Sequence, residues 1–301
     1  MVERVEEVEK AVVEEPLSFP RFILNEFKTE ESKLRALQKV SSLVLLRKVW
    51  GIDDLPNSGI AGAYYDQMAQ AVCQGGKLNL SEASERLLGG CRKDITGEEN
   101  IPKDGPLLII CNHWKGGPLW AMWQSFLISE LTNKKRGQEV GFIIQDALEF
   151  WRTGRVMPAS EYILKMVAEA SGLSMVTAPF KLRRGIQEHK APVSIFKRLK
   201  KGEIVGLYPE ARKTRELEEA WEGSGTFVSK VAEKVPNTQI LPVGVFSEGK
   251  KRDLKLSLKF GEPIPASQCD KKNSSEIADG MMAEIASLLP PKYQGEFKIF
   301  K

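Results

Sequence analysis

Pro106-Leu107-Leu108-Ile109-Ile110-Cys111-Asn112-His113 decides the fold. The unbroken apolar run Leu107 to Cys111 follows the turn Ile101-Pro102-Lys103-Asp104-Gly105-Pro106 and reads as a short strand buried on both faces. Such strands belong to sheets covered by helices on either side. The strand ends in Asn112-His113, and the chain has only two histidines. A histidine fixed at the end of a buried strand is therefore a candidate for chemistry.

Working outward, the downstream sequence alternates strands with helices. Pro118 to Leu131 reads as a helix, Val140 to Ile144 as a strand, Ser160 to Ala170 as a helix and Ser174 to Thr177 as a weak strand. Pro192 to Lys200 is an amphipathic helix closed by Gly202, Ile204 to Tyr208 a strand, Gly225 to Glu233 a helix and Gln239 to Val245 a strand. Leu254 to Phe260 alternates leucine with lysine or serine, as an outer strand does, and Glu276 to Leu289 is a final helix before Pro290-Pro291. This order predicts an α/β fold, a layered αβα core around a mixed sheet.

Upstream the texture is helical. Leu34, Leu37, Val40, Val44 and Leu45 recur at helical spacing between about Glu26 and Trp50, with Thr29-Glu30-Glu31 offering a capping hydroxyl and first-turn acids. Further helices are predicted over Ile60 to Val72 and Ser81 to Leu88. The predicted organisation is an N-terminal helical region over 1–95 and an α/β domain over 96–301.

Composition narrows the function classes. Hydrophobic residues at 42% and charged residues at 28% suit a globular core and exclude wholesale disorder. Residues 1–100 hold 13 Lys/Arg against 17 Asp/Glu, a net of −4, and the remainder holds 31 against 23, a net of +8. A basic downstream half suits an anionic partner or a lysine-rich solvated surface. No recognised nucleic-acid module is present, so no nucleic-acid partner is expected.

The four cysteines, Cys73, Cys91, Cys111 and Cys269, are scattered and contain no C-x-x-C pair, which predicts reduced thiols and neither disulfide frame nor zinc site. Met1 to Glu15 is acidic and lacks the apolar centre of a signal peptide. The longest apolar stretch, Pro106 to Leu131, is interrupted by Asn112, His113, Lys115 and paired glycines, whereas a spanning helix needs ~20 apolar residues. A protein of the cytoplasm or an organelle stroma with no transmembrane span is expected.

Four blocks carry the remaining signal. They are Asn112-His113-Trp114-Lys115-Gly116-Gly117-Pro118, Phe180-Lys181-Leu182-Arg183-Arg184-Gly185, Tyr208-Pro209-Glu210-Ala211-Arg212-Lys213, and Ile240-Leu241-Pro242-Val243-Gly244-Val245. In order, spacing and strand context they resemble the glycerolipid acyltransferase family, which includes the 1-acylglycerol-3-phosphate and glycerol-3-phosphate acyltransferases. The resemblance runs from about Gly97 to Phe260.

It implies transfer of a fatty acyl group from acyl-CoA or an acyl-carrier protein to a lipid hydroxyl, with no metal or other cofactor. It implies His113 as general base, Glu210 near the glycerol moiety, Asn112 beside the substrate, and Arg183 or Arg184 with Arg212 or Lys213 on the acceptor's phosphate. Arg184 is the preferred member of its pair. Peripheral contact with a membrane is implied by the lipid product, and the aromatic helix Trp120 to Phe126 either lies against headgroups or is buried core.

Two departures stand out. The family pattern is His-x-x-x-x-Asp, and Pro118 occupies the aspartate's place, so Asp146, Glu149 and Glu210 become candidate partners for the imidazole. A second reading follows, a catalytically silent lipid- or acyl-binding relative. A third, weaker one is a hydrolase using Cys111 with His113. The other departure is Ala211 where the family has glycine. Alanine resists a positive φ, so narrower backbone freedom is expected there, and with it a change in acceptor choice. Gly223-Ser224-Gly225-Thr226 reads as a helix entry, with anion binding by its amides as the alternative.

Overall fold

The computed structural model describes Arg47 and residues 52–73, 76–116, 122–145, 160–176, 190–249, 253–269 and 272–298. Pro118, Asp146, Glu149, Arg183 and Arg184, and most of the helix expected over Glu26 to Trp50, lie outside the described residues.

Seven α-helices are described: α1 (Ser58–Cys73), α2 (Leu80–Leu88), α3 (Met122–Arg136), α4 (Ser160–Ser171), α5 (Lys190–Lys200), α6 (Glu222–Lys234) and α7 (Ser274–Leu288). They surround eight strands, β1 (Arg92–Thr96), β2 (Leu107–Cys111), β3 (Val140–Gln145), β4 (Ser174–Val176), β5 (Ile204–Leu207), β6 (Gln239–Glu248), β7 (Lys255–Phe260) and β8 (Ile264–Pro265). The sheet order is β1-β7-β6-β2-β5-β3-β4, with β8 on β6. Among the described residues, only the β6–β7 and β6–β8 pairings are antiparallel. The fold is α/β around a mixed sheet, as the alternation predicts.

Two groups of helices cover the sheet. Helices α1 to α4 contact one another and β3 and β4, and α5 to α7 contact one another and β2, β4, β5 and β6. Between them β2 and β5 are buried along their whole length, which is why both read as continuous apolar runs. Local signals agree with these elements. Asn79 caps α2 by accepting from the Glu82 amide, and Asn273 with Glu276 forms a capping box on α7.

Two expectations need correction. The segment Arg92–Thr96, where no strand is expected, is an edge strand paired in parallel with β7. Its charged, partly exposed sequence carries no apolar run. For the same reason β7 is not the outer strand: β1 lies outside it, and Leu256, Ser257 and Leu258 are all inaccessible.

The helical stretch is fastened to the core by two carboxylates, the half-buried Glu139 and the buried Glu130. Glu139 accepts from the Leu80 and Ser81 amides at the start of α2 and from the Ser81 and Ser129 hydroxyls. Such a carboxylate satisfies amides that the first helical turn leaves unpaired. Glu130 of α3 accepts from Ser84 of α2, Lys93 of β1 and Lys134.

Among the described residues, no helix is long and apolar enough to cross a membrane. In α3, Trp123, Phe126, Leu127 and Ile128 are inaccessible. The described aromatic residues of this helix are core, and their contact with headgroups is ruled out by that burial.

Candidate functional site

Parallel pairing puts the carboxyl ends of β2 and β5 side by side, with Ile110 opposite Leu207. The residues that follow each strand therefore emerge together, on the sheet edge where open α/β folds place ligands. His113 follows β2; Tyr208, Glu210 and Lys213 follow β5.

Glu210 joins the two segments. It is 3% exposed. Its Oε2 accepts from the His113 amide at 2.8 Å, and its Oε1 accepts from the Thr214 hydroxyl at 2.6 Å and the Glu218 amide at 3.0 Å. Burial pushes its pKa up, against the pull of these three donors. The carboxylate thus grips the main chain of His113 and holds its own loop closed. It is not the partner of the imidazole.

Main-chain bonds complete the seam. The Thr214 amide donates to the His113 carbonyl at 3.0 Å, and the Lys115 amide donates to the Thr214 carbonyl at 2.6 Å. Asn112, expected beside the substrate, is 4% exposed. It spends its amide on β6, donating to the Val245 carbonyl at 2.8 Å and accepting from the Val245 amide at 2.7 Å. It extends the β2–β6 pairing past the end of β2, so its contacts are structural.

The imidazole lies on Tyr208, ring centroids 4.3 Å apart and 23° from parallel. His113 as a residue is half-buried, but its Nδ1 is sealed and has no hydrogen-bond partner among the described residues. Burial, reinforced by the Lys213 charge, pulls its pKa down to about 3. The ring is neutral at physiological pH, and no carboxylate among the described residues fixes which nitrogen carries the proton.

Lys213 stands close enough to His113 for its charge to be felt. Burial, with Lys115 nearby, lowers its pKa to about 6. Arg212 is exposed and ion-paired with Glu218. Of the two cations expected on an anionic acceptor, Lys213 is the one whose charge acts on the imidazole.

Cys111 is inaccessible, and burial pushes its thiol well above the usual range. A thiol so buried is a poor nucleophile, which removes the support for a Cys111–His113 hydrolase. The small-residue entry to α6 is used for packing. The Ser224 hydroxyl donates to the Pro209 carbonyl, and Gly225 lies so close to Ser274 that a Cβ would fall 1.9 Å from its carbonyl oxygen.

Ala211 has φ +52°. An alanine adopts the left-handed conformation here because the bonds at Glu210 and Thr214 hold the loop on both sides. A left-handed non-glycine residue costs roughly 1–2 kcal/mol. Ala211→Gly is expected to raise the unfolding free energy by about 0.5–1 kcal/mol in urea titration, since the added freedom of the unfolded chain offsets part of the relief.

Several contributors were not legible in the sequence. Thr214 acts through pairing with a segment a hundred positions away, and Ser125 is a serine in a helix of core residues. The Trp114 indole donates to Ser247 and meets the Tyr293 ring edge-on. The Leu217 amide donates to the Tyr293 carbonyl, and Gly295 approaches Leu217 so closely that a Cβ would lie 1.8 Å from its carbonyl oxygen. The segment around 293–295 thus braces the loop of Glu210 and Lys213.

A family model described as Acyltransferase matches residues 92–246, a span that opens at β1 and closes within β6. Among solved structures, one that matches is the 1-acyl-sn-glycerophosphate (LPA) acyltransferase PlsC from Thermotoga maritima, with 14% sequence identity, a TM-score of 0.47, and coverage of 84% of this chain and 96% of that one. A search of curated proteins found no match.

Proposed function

The chain belongs to the acyltransferase family, and from that premise we propose that it transfers a fatty acyl group from acyl-CoA or an acyl-carrier protein to a hydroxyl of a glycerophosphate, a lysophospholipid or a related lipid, with His113 as general base. The observation that carries this reading is the meeting of a neutral histidine with a buried lysine at the ends of two parallel strands, joined by Glu210.

Nε2 of His113 takes the proton of the acceptor hydroxyl as its oxygen attacks the thioester carbonyl. The tetrahedral intermediate then collapses, the C–S bond breaks, and the departing thiolate takes the proton back from the imidazole. The thioester is already activated, so the step balances without an enzyme-bound acyl intermediate or a cofactor. Lys213 faces the acceptor's phosphate, and a lipid product calls for peripheral contact with a membrane.

The binding of that phosphate carries a proton signature. With a pKa of about 6, Lys213 is largely neutral at pH 8, and an anion beside it favours the ammonium. Binding of a phosphate-bearing acceptor at pH 8 is expected to take up about one proton. Calorimetry in buffers of different ionisation heat measures it, and zero uptake places the phosphate elsewhere.

For Nε2 to act as base, the proton must sit on Nδ1, where the described residues offer no acceptor. An unpaired buried donor costs roughly 1–3 kcal/mol. That orphaned nitrogen favours the second reading, a silent acyl- or lipid-binding relative. A free-thiol assay with acyl-CoA and candidate acceptors separates them: acceptor-dependent thiol release supports transfer, and binding without release supports the silent relative. Pro118→Asp, which restores the family's carboxylate, is expected to raise kcat tenfold or more; loss of an orienting aspartate costs up to ~10⁴ in a comparable arrangement.

A further inference from the structure

His113 lacks the hydrogen bond that would orient it, yet its ring is not unsupported. We propose that Tyr208 is a positioning residue for His113, its tethered ring fixing the plane of the imidazole in place of the carboxylate that Pro118 removes. This rests on the reading of His113 as the base.

Three contacts hold the tyrosine itself. Its hydroxyl lies 2.7 Å from the Ser125 hydroxyl of α3, and it also meets the Cys111 thiol. Its ring stacks on Phe142 at 5.5 Å and 19°. The strand order β2-β5-β3 puts Tyr208 between His113 and Phe142, giving a stack of three rings. Gly206 permits it, because a Cβ there would fall 2.3 Å from the Phe142 ring.

A phenylalanine at this position would stack but could not be tethered. Tyrosine adds an anchor in the buried core, where the Ser125 bond is shielded from water. An imidazole turning freely about its side-chain bonds would sweep Nε2 through an arc, and misplacement by 1 Å can cost ~10² in rate. The stack removes that rotation. It does not choose the tautomer, so restoring a carboxylate at position 118 adds a separate gain.

The test compares Tyr208→Phe, Ser125→Ala and Tyr208→Leu, with acyl-CoA and 1-acylglycerol-3-phosphate as substrates. The first two cut the tether and are expected to lower kcat about three- to tenfold. The third removes the stack and is expected to lower it ~10²-fold, with KM within about twofold throughout. Imidazole NMR gives a second readout. The chain has only two histidines, His113 and His189, and His113→Ala assigns them.

Wild-type His113 is expected to show ring-current-shifted signals that do not titrate between pH 5 and 8. In Tyr208→Leu that shift is expected to vanish. Lys213, whose charge reaches the imidazole, and Glu210 on the His113 main chain are kept in every variant. A folded Tyr208→Leu with unaltered kcat and His113 signals overturns the proposal. If that variant does not fold, unaltered kcat and signals in both tether variants overturn it. Absence of transfer by the wild type would sink the functional reading alone, because the imidazole spectra still decide whether Tyr208 orients the ring.

Discussion

His113→Ala is expected to lower acyl transfer by about 10²–10⁴, the usual contribution of a positioned acid–base group, with little loss of stability. The two effects separate because the backbone at this position does the structural work. The amide of residue 113 still donates to Glu210, and its carbonyl still accepts from Thr214. The lost side chain makes no hydrogen bond at Nδ1 among the described residues and gives up one ring stack, worth about 0.5–1.5 kcal/mol. Free-thiol release with saturating acceptor and a thermal melt measure the pair. A variant that melts normally and transfers at the wild-type rate would remove His113 from the chemistry.

Glu210→Ala is expected to do the reverse, damaging the scaffold first and activity through it. Two main-chain amides and the Thr214 hydroxyl lose their shared acceptor in a buried setting. At roughly 1–3 kcal/mol for each unsatisfied group, with water repairing part of the damage, a loss of about 3–5 kcal/mol in urea titration is expected. Glu210→Gln keeps the shape and one acceptor oxygen, but turns an N–H toward a donor, and should lose about 1–3 kcal/mol. Because His113 and Lys213 are held by the same seam, kcat/KM should fall at least ~10²-fold in the alanine variant even under conditions where it folds. A loss below about 1 kcal/mol would mean that the loop is held by its main-chain bonds alone.

The parts of this arrangement that could be read in the sequence are those with a local signature. Strands β2 and β5 announce themselves because burial on both faces leaves no polar position to interrupt the run. His113 and Glu210 were found because each follows such a strand and the blocks keep their order. Strand β1 was missed because an edge strand carrying Arg92, Lys93 and Asp94 has no apolar run to betray it. With no apolar run to mark β1, the alternation in β7 reads as an edge.

Relations between segments were not legible at all. Nothing in the residue pattern says that the Glu210 carboxylate grips a backbone amide and leaves the imidazole alone, or that Asn112 completes a strand pairing. Residue preference does not announce the turn at Ala211 for a related reason: alanine disfavours its φ, and the long-range seam on either side overrides that preference.

The brace at 293–295 has a consequence for how the protein is made. The family-matched stretch ends at residue 246, yet Tyr293 and Gly295 secure the Leu217 end of the loop and Tyr293 also backs Trp114. A nascent chain that has only the matched stretch therefore lacks the segment that closes one flank of the Glu210 loop. The loop is closed only once Tyr293 and Gly295 have been made, and a nascent chain stalled before Tyr293 has the sheet's central strands but an open flank at Leu217.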